Sequence, residues 1–377
     1  MEISNLPTPG LVLDQPKLSR NIRRMKRRMA DLGVTLRPHV KTAKSLEVAR
    51  MLFDGGVGPI TVSTLREAEY FAAGGFRDIL YAVGIVPDKL ERVRALTATG
   101  VDVKLVLDDP GIAQAVSKAG ARMGVRFSTL VEIDSDGHRA GLTPDDAGVL
   151  QVARCLHEGP GTAFAGFMTH AGGSYDSGSV EAIKAAARAE RDAVVESARR
   201  VAAAGLPCPI VSVGSTPTAT FADDLTGVSE VRAGVFVFQD LFQVGLGVCG
   251  LDDLALSVLT TVVGHKRAQR RLITDAGALA LSKDRGTASQ SIDQGYGLVC
   301  DASSGVVIED LVVEGVNQEH GIIVNRGSEL DLDRYPIGTK LRILPNHACM
   351  TAAAYDAYSV LDASGRVADR WGRCNGW

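Results

Sequence analysis

From about residue 30 to residue 245 the chain repeats one pattern: a short β-branched apolar run that closes in polar or glycine residues, then a stretch with apolar residues three and four apart. The runs are 34–40, 60–63, 79–83, 101–107, 125–133, 164–170, 210–214 and 231–238. Leu18, Ile22, Met25 and Met29 line one helical face ahead of the first run, and Leu90, Val93 and Leu96 line a later one. Residues 178–204, rich in Ala, Glu and Arg and closed by Gly205, predict the longest helix. Parallel strands need crossover connections, so eight strand-then-helix units predict an α/β chain built on a (β/α)8 TIM-type barrel.

After residue 245 helical periodicity fades. Short runs bounded by Gly, Asp and Asn take over at 254–263, 271–274, 298–301, 306–312, 321–324, 341–344 and 358–361. They predict a C-terminal all-β domain, into which the opening segment 9–13 can pair. The expected division is a barrel over 14–245 and a β domain over 246–377 plus 1–13.

Charge and composition narrow the function. A formal net charge of -3 leaves no broad basic surface for a phosphate backbone, so nucleic acid is not an expected partner. No basic segment followed by an apolar core opens the chain, and its longest apolar stretches are too short for a bilayer, so neither a signal peptide nor a membrane is expected. The 6 cysteines are scattered without a CxxC pair, which fits reduced thiols in a cytoplasm.

In a barrel of this kind the chemistry gathers at the C-terminal ends of the strands. The first run closes in RPHVKTAKS, where Lys41 lies among Arg37, His39 and Lys44; it reads either as an amine poised for carbonyl chemistry or as a solvated basic turn. The fifth closes in EIDSDGHRAG, with Glu132, Asp134, His138 and Arg139, a cofactor-contacting loop or simply a polar one. The sixth closes in THAGGSYD, with His170 beside two glycines. The seventh, VGSTPT, offers Gly214, Ser215, Thr216 and Thr218 where barrels commonly hold phosphate; Gly234 lies in the eighth. In the β domain His347 and Cys349 stand two apart, which on a strand puts imidazole and thiolate on one face, a donor pair suited to zinc. Taken alone, that pair reads more readily as a turn histidine and a buried cysteine.

Together RPHVKTAKS, EIDSDGHRAG, THAGGSY, VGSTPT, RAGVFVFQD, DAGALALSKDRG, QEHG and PNHAC resemble the D-serine dehydratase and D-threonine aldolase family, the metal-dependent branch of the alanine-racemase-like pyridoxal-phosphate enzymes. The resemblance runs nearly end to end. It implies that Lys41 forms the Schiff base with pyridoxal 5'-phosphate and acts as base at the substrate α-carbon, with His39 among the cofactor contacts. It implies Arg139 near the pyridine nitrogen. Gly214, Ser215 and Thr216 would hold the phosphate, helped by Gly234 and Tyr175, and His170 would position or transfer a proton. It implies a divalent metal on His347 and Cys349, zinc first with manganese or magnesium as alternatives, and a homodimer acting on a small amino-acid substrate.

The implied reaction is dehydration and deamination of a 3-hydroxy D-amino acid, such as D-serine or 3-hydroxyaspartate, to a 2-oxo acid and ammonia. The aldolases of the family carry HxD and an acidic residue where this chain has HxC and Gln318, which favours the dehydratase over an aldolase or transaldolase releasing glycine and an aldehyde. A third reading, a non-catalytic pyridoxal-phosphate-binding protein, fits a lone barrel better than a chain with a further β domain. A carboxylate on the substrate side chain would call for a cation, and Arg37, Lys44, Lys283 and Arg285 are the candidates.

Overall fold

The computed structural model describes residues 1–377. They divide into two compact units, one of Arg24–Gly234 with Cys374–Trp377, the other of Met1–Arg23 with Val235–Arg373.

The first unit is the expected parallel sheet of 8 strands. In spatial order they are Thr35–Leu36, Glu230–Val231, Ile210–Val213, Thr162–Thr169, Phe127–Ile133, Asp102–Leu107, Asp78–Tyr81 and Ile60–Val62. A parallel bridge between His39 and Thr61 joins the two ends of the series. Around it Val40 N–H donates to Thr61 O and Thr61 N–H donates to Pro38 O, each at 2.9 Å. Pro38 has no N–H for a ladder, and the predicted first strand shrinks to Thr35–Leu36. The eighth run is also shorter than expected, a Glu230–Val231 strand. Val180–Ala203 is the longest helix, opened by Ser179, whose side chain accepts from Ala182 N–H.

Side chains fill the barrel interior. Leu80, Val106, Leu130, Ala165 and Met168 form an apolar cluster. At the N-terminal ends of the strands lies an ion network. Buried Arg37 reaches Glu230 and Asp78, both at 2.7 Å, and Lys104 reaches Asp78 and Asp102, both at 2.6 Å. Each cation is held by carboxylates, as burial requires.

The second unit carries a 9-stranded sheet. Its strands include Gly10–Asp14, Leu256–Lys266, Arg271–Thr274, Leu298–Asp301, Val307–Val316, Gly321–Asn325, Lys340–Leu344 and Ala357–Leu361. Gly10–Asp14 pairs antiparallel with Leu256–Lys266 and parallel with Ala357–Leu361. The ninth strand, Val367–Gly372, is mostly exposed and carries no apolar alternation to betray it. Pairing of Leu256–Lys266 with Arg271–Thr274 closes part of the sheet on itself, through a bulge at Val262/Gly264.

One expectation is corrected here. His347 and Cys349 do not share a strand face: His347 caps the short helix Ala348–Ala352, and Cys349 lies in its first turn. Pro345 and Asn346 follow the Lys340–Leu344 strand, and an Ala-rich sequence turns into helix once Ala348 N–H finds an acceptor in Asp240 Oδ2 at 3.0 Å.

Candidate active site

Of the candidate residues at the barrel end, His39 and His170 lie in the neighbourhood of Lys41. Its backbone N–H reaches His39 Nδ1 at 3.5 Å. Its side chain is exposed and has no partner within the chain. The Lys41 charge bears on both His39 and His170, so the amine and the two imidazoles share one neighbourhood. Burial, then the charges of Lys41, Arg232 and His170, holds His39 well below the usual histidine range. His39 Nε2 lies 3.3 Å from Ser63 Oγ.

His170 Nδ1 is 2.7 Å from the Gly214 carbonyl, which can only accept, so Nδ1 carries the proton and Nε2 keeps its lone pair. Burial is the main force pushing this imidazole down to about 3, helped by the Arg139, Lys41 and Arg232 charges and opposed by the Gly214 bond. Tyr175 lies beside it, ring centroids 6.3 Å apart. Arg139, half exposed, reaches Glu132 Oε1 at 3.6 Å. The loop that carries Arg139 packs on the Gly172–Gly173 turn. Asp136 Oδ2 accepts from Gly173 N–H at 2.8 Å, and a Cβ on Gly172 would stand 2.4 Å from the His138 ring.

Ser215 caps the helix Thr216–Phe221 in a capping box with Thr218. Gly214 adopts φ +141°, and a Cβ there would stand 2.6 Å from Arg232 N. Its N–H donates to Glu190 Oε1 at 3.0 Å and its carbonyl accepts from His170, so Gly214 shapes the turn while Ser215 and Thr216 open the helix. A Cβ on Gly234 would stand 2.8 Å from His39 O, which explains glycine where the eighth run meets the first. An unpartnered amine, two neutral imidazoles and a hydroxyl-bearing turn fit a phosphorylated aldehyde such as pyridoxal phosphate.

In the second unit, His347 Nδ1 lies 2.8 Å from Asp284 Oδ2, and its side chain also bonds Cys349. Burial lowers this histidine, but Asp284, Cys349 and Asp240 outweigh it and hold it up at about 11. Asp284 is fixed in turn: its Oδ1 accepts from Gly286 N–H at 2.8 Å and its carbonyl accepts from Asn346 Nδ2 at 3.0 Å. Asp240, 1% exposed, accepts from Gln243 N–H and Ala348 N–H, both at 3.0 Å, and burial pushes its carboxyl up to about 6. No three His, Cys, Asp or Glu side chains converge in a metal-holding group. The pair His347–Cys349 with a carboxylate behind the imidazole still fits a divalent metal whose other positions go to water and substrate.

Of the substrate-carboxylate candidates, Arg37 is committed to Glu230 and Asp78, and Lys44 to Glu67 at 3.2 Å. Arg285 pairs with Asp293 and stacks over Tyr296 at 5.2 Å. Lys283 is exposed and has no partner. Sequence reasoning missed Glu190, Asp240, Arg232 and the role of Asp284. Asp284 and Asp240 sit inside DAGALALSKDRG and RAGVFVFQD, but no spacing within those segments ties them to His347 or Ala348.

Residues 13–241 match the family model for the alanine racemase N-terminal domain, and residues 255–361 match the one described as "Putative serine dehydratase domain". The chain is 50% identical over 376 residues to the D-threo-3-hydroxyaspartate dehydratase of Delftia sp. strain HT23, covering 99% of this chain and 98% of that protein. That enzyme's solved structure superposes with a TM-score of 0.97 over 100% of both chains at 49% identity, and one of its cysteine-to-alanine mutants is described as in the metal-free form. A D-serine dehydratase of Schizosaccharomyces pombe is 30% identical, covering 100% of this chain and 93% of that one. The D-threonine aldolase of Filomicrobium marinum superposes with a TM-score of 0.84 at 25% identity, covering 98% and 96%. The chain therefore belongs to the D-serine dehydratase and D-threonine aldolase family, a barrel-plus-β-domain chain of the alanine-racemase fold.

Proposed function

We propose that this protein is a pyridoxal-phosphate- and metal-dependent lyase. It converts a 3-hydroxy D-amino acid, 3-hydroxyaspartate before D-serine, to a 2-oxo acid and ammonia. The observation that carries this reading is the 50% identity over 99% of the chain to a D-threo-3-hydroxyaspartate dehydratase.

Lys41 would hold the cofactor through its carbonyl carbon. Ser215, Thr216 and the Gly214 and Gly234 turns would seat its phosphate, and His39, Arg139 and Tyr175 would border it. Bound there, pyridoxal phosphate supplies the electron sink that makes the substrate Cα–H acidic. Lys41 Nζ, freed once the substrate amine takes its place on the cofactor, would take the α-proton. His170, with Nδ1–H tied to Gly214, presents an unprotonated Nε2 that can receive or return a proton without becoming a standing cation. His347 and Cys349 would hold a divalent metal, zinc in this reading, whose Lewis acidity makes the β-hydroxyl a better leaving group. Asp284 keeps the His347 ring oriented, so that its far nitrogen would meet a metal that displaces the proton there. Unpaired Lys283, next to Asp284, gives 3-hydroxyaspartate its preference through the β-carboxylate. The reading includes a homodimer, checked by sedimentation equilibrium, and a cytoplasmic setting, with which six free thiols agree.

The test is product analysis. Purified protein supplied with pyridoxal phosphate, Zn2+ and D-threo-3-hydroxyaspartate should release ammonia and oxaloacetate in equal amounts. Glycine and glyoxylate instead would replace this reading with an aldolase.

A further inference from the structure

Glu190 lies within the Val180–Ala203 helix, 2% exposed, and none of the chemistry above uses it. An isolated buried carboxylate is costly, so its hydrogen bonds show what it serves. Its Oε1 accepts from Ala171 N–H at 2.9 Å and from Gly214 N–H at 3.0 Å. Thr218 also bonds it through its side chain. Ala171 directly follows His170, and Gly214 directly precedes the Ser215–Thr216 turn. A single oxygen therefore fastens the ends of two neighbouring barrel strands, Thr162–Thr169 and Ile210–Val213.

The two fastened ends are also joined to each other. Gly214 carries Glu190 on its N–H and His170 on its carbonyl. Ser174 Oγ lies 3.0 Å from Ser215 Oγ, and Thr218 Oγ1 accepts from Ser215 N–H at 3.1 Å. Gly214 takes a φ of +141° that L side chains rarely adopt, and a Cβ there would stand 2.6 Å from Arg232 N, so the turn that carries both bonds is built for glycine.

We infer that Glu190 is a positioning residue that sets the His170 imidazole and the Ser215–Thr216 phosphate turn as one unit. Its meaning for catalysis rests on the pyridoxal-phosphate reading; its geometry does not. One oxygen, Oε1, takes both backbone N–H groups, and the Thr218 side chain also bonds the carboxylate. Glu190→Gln keeps a carbonyl oxygen for the N–H pair and an amide that can donate to Thr218. Glu190→Asp retracts the carboxylate by one methylene, and Glu190→Met offers no acceptor.

The experiment compares these three variants with the full-length wild type in two readouts. The first is the 15N shifts of the His170 ring in protein free of cofactor, which report whether Nδ1 carries the proton. The second is the dissociation constant for pyridoxal phosphate by equilibrium dialysis. In Glu190→Asp and Glu190→Met the tautomer preference should be lost and cofactor affinity should fall about tenfold or more, the effect of one or two lost hydrogen bonds. Glu190→Gln should keep both. If Glu190→Met does not fold, Glu190→Asp against Glu190→Gln decides. Unaltered His170 shifts and wild-type affinity in folded Glu190→Asp or Glu190→Met overturn the inference, whatever happens to Tm. Wild type that binds no pyridoxal phosphate sinks the functional reading, and the His170 shifts then decide this one alone.

Discussion

Single side chains divide here into those whose partners are within the chain and those left to meet something else. Of the cations put forward for a substrate carboxylate or the cofactor, Arg37, Lys44 and Arg285 are neutralised by carboxylates, whereas Lys41 and Lys283 are not. Lys41 has a chemical role in the proposed reaction; Lys283 has one only if the substrate brings a second carboxylate. A charge-assisted hydrogen bond is worth roughly 1.5–3 kcal/mol. Lys283→Met should accordingly raise KM for D-threo-3-hydroxyaspartate by about 10- to 100-fold and leave D-serine turnover nearly unchanged. Steady-state kinetics on both substrates checks it; equal losses on both, or none on either, would remove Lys283 from specificity.

At the scale of elements, the telling feature is a strand that gives way to a helix. Lys340–Leu344 ends at Pro345, and within four residues the chain has placed His347 at a helix cap and Cys349 in its first turn. Asp240 and Asp284, from two other segments, hold that turn through Ala348 N–H and His347 Nδ1. Loss of an outer-shell carboxylate of this kind typically weakens metal binding 10- to 100-fold. Asp284→Ala should lower zinc affinity by about that factor, and Cys349→Ala by more, with the far-ultraviolet circular dichroism unchanged. Competition with a chromophoric chelator measures both. Wild-type zinc affinity in Cys349→Ala would place the ligands elsewhere.

For the whole molecule, the two neutral histidines of the barrel, His39 and His170, set the response to acid. An unfolded His170 takes up its proton near 6.5, but the folded ring resists until about 3. Between those values the unfolded state binds more protons, so the stabilising contribution is complete above pH 6.5 and is lost as pH falls. The His170 ring is partly exposed, which keeps the amplitude modest: about 1–2 kcal/mol between pH 7 and pH 5. Urea midpoints at the two pH values should differ accordingly, and His170→Gln should narrow the gap; an unchanged gap would assign the acid response to other groups. The sequence by itself determined the barrel, because eight β-branched runs alternating with amphipathic helices have few other ways to bury their apolar faces. It also determined the β domain, and it put forward Lys41, His170, the Ser215–Thr216 turn and the His347–Cys349 pair as candidates, since strand ends and close-set donors are local features. Tertiary structure alone decided the rest. Glu190 meets Ala171 and Gly214 across 19 and 24 residues, and Asp284 meets His347 across 63. Hydrogen bonds between such distant segments leave no periodicity to read. Only folding shows which carboxylates are spent on holding the site and which cations remain for a substrate.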